Sequence, residues 1–250
     1  MSFKSWRSYK IFSSYIHGKN RYILDEDSKG FLEAIFTTCS DRIHKVNKGD
    51  ILWRSQHGHS YKPIYSGDIL VDEEPTAYPP IRMKPLEHGA SDGRANPKGI
   101  PYLYVATTKE AAMSEVRPWI GSIVSTGQFT VLRDLRIIDF SVEHGNEINL
   151  FLNEPSEEDK IKAVWSHIDN AFSKPVRESD LISDYAPTQI IAEFIKSKGF
   201  DGIAYKSSLA DGYNLALFEL DSAKLVNCSA YEVKKVKFYF KKIEESYFVK

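Results

Sequence analysis

Hydrophobic positions open this chain at helical spacing. Trp6, Tyr9, Phe12 and Ile16 recur at three- and four-residue steps, and Phe31, Leu32, Ile35, Phe36 and Cys39 do the same after the acidic start Asp25-Glu26-Asp27. Apolar residues at these steps share one helical face, and carboxylates favour the first turn, so two amphipathic helices are expected here. Gly49-Asp50 then leads into Ile51-Leu52-Trp53, a short apolar run that predicts the first buried strand, with Arg54 at its end. From Tyr61 to Pro101 the chain is rich in Pro, Gly, Asp and Ser and is expected to be a long loop of the kind that is functional or disordered.

Patterning returns at residue 102. Tyr102 to Ala106 reads as a strand, and Thr107-Thr108-Lys109-Glu110 has the spacing of a capping box before a short helix over Ala111 to Val116, stopped by Pro118. Glu115 therefore rides on a short helix just after a strand. Two strands, Gln128 to Leu132 and Leu135 to Phe140, precede a helix whose face is Ile161, Val164, Trp165, Ile168 and Phe172. Another helix begins at Asp184 or Tyr185, with Pro187 in its first turn and Gly199 as its stop. The strands Gly202 to Tyr205, Asn214 to Leu220 and Val233 to Phe240 complete the chain. Val236, Phe238 and Phe240 alternate with polar residues in the last of these. Helices cluster at the start and between residues 157 and 198, which favours a single α+β domain over a doubly wound parallel sheet. No internal repeat and no dividing linker interrupts it.

Composition narrows the class. The 250 residues are 42% hydrophobic and 13% aromatic, which excludes a largely disordered chain. Lys plus Arg is 33 against 34 for Asp plus Glu, so the net charge is −1 and no direct nucleic-acid partner is expected. Cys39 and Cys228 are too few for a disulfide framework or a four-thiolate metal site. Residues 1–10 lack the apolar run of a signal peptide, and nowhere do 18 apolar residues stand together, so the expectation is a cytoplasmic chain with no membrane partner.

The motifs of P-loop, Rossmann and zincin proteins are all missing, as is a paired CxxC. His57-Gly58-His59 would need further metal ligands that the sequence does not supply, so no metal is expected. The lysines between Lys234 and Lys242 could meet an acidic partner, but a strand with one solvated lysine face accounts for them equally well. What remains is a set of polar residues where turns meet strand ends: Arg54, Arg94 in a Gly/Asn/Pro loop, Glu115, and Ser207-Ser208 after the strand ending at Tyr205. Such positions are where sites are commonly built.

These residues carry a resemblance. Leu52-Trp53-Arg54, Gly93-Arg94-Ala95-Asn96-Pro97-Lys98-Gly99-Ile100-Pro101-Tyr102-Leu103-Tyr104, Ala112-Met113-Ser114-Glu115-Val116-Arg117-Pro118, and Tyr205-Lys206-Ser207-Ser208 followed by Asn214 resemble, in that order, the motifs of the RES domain, named for an arginine, a glutamate and a serine. Residues 1–50 resemble the N-terminal extension of longer members, leaving 51–250 as the RES domain. Two departures are visible: a long stretch between Arg54 and Arg94, and Ala95 where many members carry an aromatic residue.

The resemblance implies an ADP-ribosyltransferase-like mixed β core and an NAD-consuming, toxin-like activity: phosphorolysis, hydrolysis or protein ADP-ribosylation. It implies NAD as substrate rather than cofactor, phosphate as one candidate acceptor, and an Xre-like antitoxin as partner. Catalysis would fall to Glu115, Arg94 and Ser207. Physical chemistry agrees with these types: a carboxylate near the ribosyl cation stabilises the transition state more than the ground state, and arginine forks suit a pyrophosphate. Arg54 is a second candidate for that contact. Tyr102 and Tyr104 face the same side of their strand, so one of them can stack on nicotinamide while packing in the core accounts for the other. Ser207 or Ser208, with Asn214, would bind ribose or phosphate. A catalytically silent NAD- or ADP-ribose-binding module is the competing expectation.

Overall fold

The computed structural model describes residues 2–87, 89–145, 155–174, 182–237, 239, 240 and 242. Two helices come first, α1 (Ser8–Gly18) and α2 (Glu26–Thr38), followed by β1 (Ile43–Val46), β2 (Ile51–His57), β3 (Ser60–Ser66) and β4 (Ile69–Thr76). Then come β5 (Leu103–Ala106), α3 (Lys109–Glu115), β6 (Ile123–Val131), β7 (Leu135–Asp139), α4 (Glu157–Ser173) and α5 (Ala186–Ser197). After these come β8 (Gly202–Lys206), β9 (Tyr213–Leu217) and β10 (Ala223–Glu232).

Eight strands form one sheet in the order β1-β7-β8-β9-β5-β2-β6-β10, and β3 and β4 pair with each other alone. Its neighbours are antiparallel except β7 and β8, which run parallel. Parallel strands need a long crossover, and the segment carrying α4 and α5 provides it. The fold is therefore α+β, as the element order predicts.

Alternation along the strands makes both faces of the sheet apolar. Ile138, Ile203 and Ala216 point into a cluster with Phe12, Phe31 and Ile35 of the opening helices and Trp165, Phe172 and Ile191 of α4 and α5. Their neighbours Ile137, Ala204 and Leu217 point the other way, into a cluster with Leu52, Phe129 and Met83. Residues before 51 thus contribute α1, α2 and a strand, β1, that pairs with β7. The helical expectation for that segment did not include this strand.

Several expectations are corrected. The stretch from Tyr61 is not all loop: β3 and β4 form a hairpin turning at Gly67, whose φ of +62° suits glycine. Nearly every hairpin residue is exposed, so the strands show no polar-apolar contrast by which period two is normally recognised. Among the described residues the last strand is β10, ending at Glu232, and those from Val233 to Phe240 are not in a strand; Phe238 lies outside them. As the sheet's edge strand with a register shift between Leu225 and Asn227, β10 has a broken alternation. β6 starts at Ile123, five residues earlier than predicted, because its buried positions include Ser125, Thr126 and Gly127.

Candidate active site

The short helix α3 sets the site. Thr108 is its N-cap, one residue later than the capping-box spacing suggests, and its hydroxyl accepts from the Ala111 backbone N–H at 3.1 Å. The same hydroxyl donates to the Asp211 carbonyl at 2.8 Å, tying α3 to the turn after β8. Gly212 in that turn has φ +124°, and a Cβ there would lie 2.8 Å from the Thr108 hydroxyl. Ala111 and Ala112 are buried beside Trp53 and Ala106. Their small side chains let the helix lie close on β2 and β5, and its last residue, Glu115, then meets the ends of β8 and β9.

There the carboxylate is gripped on one side only. Glu115 Oε1 accepts from the Ser207 hydroxyl at 2.9 Å and from Asn214 Nδ2 at 2.7 Å. Among the described residues Oε2 accepts no hydrogen bond, and the side chain is exposed. Ser207 and Asn214 are buried, so the grip is shielded from water while the free oxygen is not. Tyr205 pairs with Asn214 in the β8–β9 register.

Two hollows flank this carboxylate. The first, 470 Å³, is lined by Trp53, Arg54, Gln56 and His57 of β2; the second, 250 Å³, by Arg94, Arg117, Ser173, Lys174 and Ser208. Tyr104, Glu115, Tyr205 and Asn214 line both. Ligand pockets are typically about 300–1,000 Å³; the first hollow falls in that range, and the four shared residues set the second beside it.

Arg54 lies inside β2 rather than at its end. One terminal nitrogen donates to the Tyr104 carbonyl at 2.9 Å, while its Nε is buried without a partner. Burial pulls this guanidinium below the usual arginine range. A half-buried cation with a buried, unmet donor, lining an open hollow, is what an anion would complete. Arg94 already donates to the Phe172 carbonyl at the C-terminal end of α4, where a cation meets the negative helix end. It therefore joins the loop to the helix and lines the second hollow at once.

The loop around Arg94 is tightly fixed. Tyr104 donates to Asn96 Oδ1 at 2.8 Å and accepts from the Ala95 N–H at 3.0 Å. Gln189 Nε2 donates to the Gly93 and Asn96 carbonyls. A Cβ on Gly93 would fall 2.3 Å from Asn96 Oδ1 and 2.6 Å from the Tyr104 hydroxyl, so only glycine fits. Burial pushes the Tyr104 phenol up to about 12, which keeps it a neutral donor near neutral pH.

The structure thus brings Arg54 to the first hollow, Arg94 and Ser208 to the second, and Tyr104, Glu115 and Asn214 to both, with Ser207 behind Glu115 rather than on either wall. Tyr102 does not join them. Its ring is buried against Phe218, with centroids 4.9 Å apart, and lies under Lys196 of α5. Both tyrosines do lean toward the helical side, but Tyr102 meets α5 where Tyr104 meets the Arg94 loop. Residues that sequence reading passed over include Trp53, Gln56, Tyr205 and Lys174. For Arg117 the signal was its place in the motif between Glu115 and Pro118; in the structure it adopts φ +47°, a conformation rare for a non-glycine residue.

His57 faces the first hollow and His59 packs edge-on to Tyr61; among the described residues no three His, Cys, Asp or Glu side chains form a metal-binding group. No described helix is long and apolar enough to cross a membrane. Chemically, an anchored carboxylate with one free oxygen, between two arginines, can stabilise a cationic centre on a substrate whose phosphates the arginines hold.

No curated protein matches the chain. A solved chain of the M. tuberculosis MbcT-MbcA toxin-antitoxin complex is similar at 15% identity, covering 85% of this chain and 94% of that one with a TM-score of 0.45. The RES domain family model matches residues 51–240, and the chain belongs to that family.

Proposed function

We propose that this protein degrades NAD by cleaving the nicotinamide–ribose bond and acts as a toxin held in check by an Xre-like antitoxin. The observation that carries the reading is the asymmetric grip on Glu115: two buried donors hold Oε1, no described residue donates to Oε2, and the residue lines both hollows. Membership of the RES family supports it.

In the proposed step the C1′–N bond breaks with its electron pair leaving on nicotinamide, which departs neutral. The ribosyl ring becomes an oxocarbenium ion, and the free Glu115 oxygen stabilises its charge and accepts from the 2′-hydroxyl. Ser207 and Asn214 keep the carboxylate from turning away, a form of pre-organisation. Arg54 and Arg94 hold the pyrophosphate, and Tyr104 supplies a ring beside nicotinamide. An oxygen of phosphate, or of water as it gives up a proton to solvent, then bonds to C1′.

Purified protein incubated with NAD should release nicotinamide, measured by chromatography, with and without phosphate. The mass of the ribosyl product names the acceptor: ADP-ribose for water, ADP-ribose phosphate for phosphate, a modified protein for a side chain. If no nicotinamide appears under any of these conditions, the silent binding module becomes the better account. Expression in cells should arrest growth and deplete NAD, and the Glu115→Gln variant should do neither.

A further inference from the structure

The hairpin β3–β4 is exposed along almost its whole length. Ile69, Leu70 and Val71 at its far end are between 51% and 70% exposed, and Tyr61 and Tyr65 are as open. A lone two-stranded hairpin is marginal in water; Ile69 and Val71 stand on one face and Leu70 with Tyr65 on the other, and this many exposed large apolar side chains on one element mark an interaction surface. The hairpin also carries Asp68, Asp72, Glu73 and Glu74 against a single Lys62. Pro63 and Pro75 interrupt its edges, and proline on an edge strand obstructs strand addition. It is therefore built to be gripped by side chains.

A surface of matching character lies on the same molecule. A hollow of 770 Å³ is lined by Pro118, Trp119, Tyr231, Val233, Val236 and Tyr239, among others, and Lys234, Lys235 and Lys237 stand around it. Trp119 is 73% exposed. Lys234 pairs with Glu232, but among the described residues Lys235 and Lys237 have no ion-pair partner. The hairpin and the hollow meet at the start of β6. Gly58, at the hairpin's root, donates its N–H to the Ile123 carbonyl, and the next residue, Val124, lines the hollow.

We infer that two copies of this chain associate about a two-fold axis, the acidic apolar hairpin of each seated in the lysine-rimmed aromatic hollow of the other. An acidic knob and a basic socket side by side on one surface are what a reciprocal contact requires, because the same patch must complement itself under the two-fold rotation. The opposed charges also fix register and disfavour hairpin against hairpin. This inference does not rest on the NAD reading: the socket shares Arg117 and Leu209 with the second hollow, and the variants that test the contact leave both unchanged.

Sedimentation of the full chain over a range of concentrations tests it. The parent should form a dimer that weakens as salt is raised. The double variants Asp72→Lys/Glu73→Lys and Lys235→Glu/Lys237→Glu alter only exposed residues, and each alone should sediment as a monomer where the parent is dimeric. Mixed in equal amounts, they should recover the dimer, because each hairpin then again meets a hollow of opposite charge. A parent that stays monomeric at every concentration overturns the inference. So does a dimer untouched by either variant, or a mixture that remains monomeric.

Discussion

Glu115 has one oxygen committed and one free, and the division of labour around it can be measured. Glu115→Gln should lower kcat by at least about 100-fold, the scale of losing one transition-state electrostatic contact, while NAD affinity stays within a few-fold. Asn214→Ala should cost less, roughly 10- to 100-fold in kcat, since a hydrogen bond to a charged group contributes about 1.5–3 kcal/mol. Equal turnover of parent and Glu115→Gln would remove the carboxylate from the mechanism. Arg94 is a harder case because it also holds the Phe172 carbonyl. Calorimetric titration should show Arg94→Ala weakening NAD binding more than Arg94→Lys, which keeps the charge without the fork. Unchanged affinity in Arg94→Ala would leave this arginine with its helix contact alone. The residue types at these positions were legible in the ordered motifs; that Ser207 sits behind the carboxylate and donates to it was not, for it depends on a contact 92 residues away in the chain.

At the level of elements, α3 is short enough for its cap to matter. A seven-residue helix has little propagation to offset nucleation, and Thr108 serves both the Ala111 N–H and the Asp211 carbonyl. Thr108→Ala should lose about 1 kcal/mol in chemical denaturation and should also lower kcat, because the helix carries Glu115. A stability loss with unchanged turnover would separate the cap from the site. The amphipathic helices were readable because one face of each is buried, as Phe12 and Ile16 show for α1. The hairpin β3–β4 was not readable, since solvent on both faces removes the contrast. β10 shows a further limit: at an edge, alternation need not be kept.

For the molecule as a whole, the opening helices belong to the folding unit, and one buried group reports on their docking. His167 of α4 stacks on Trp6, ahead of α1, with ring centroids 6.2 Å apart. Burial first, and the nearby Lys10 second, hold its imidazole below the ordinary 6.5. The unfolded chain then binds more protons than the folded one below about pH 7. Its contribution to stability is intact above the unfolded pKa and falls as the pH drops toward the lowered folded value. His167→Phe should therefore flatten the stability loss between pH 7 and pH 5, followed by urea denaturation at each pH. Parallel curves for parent and variant would show that His167 does not govern this dependence.

Period and residue type settle what is local: the helices α1, α2, α4 and α5, most strands of the central sheet, the α+β class, and which arginines, carboxylate and serines deserved attention. These depend on spacing within a few residues, where backbone geometry alone decides which side chains share a face. The tertiary structure decided the rest. It sent Tyr102 under α5 and Tyr104 to the site, left Arg54 Nε without a partner, and placed Asn214 on a carboxylate 99 residues distant. It also folded a Pro- and Gly-rich stretch into a projecting hairpin. Each of these outcomes turns on which strands pair and in what register, and that is set by packing the whole core at once rather than by any stretch of chain on its own.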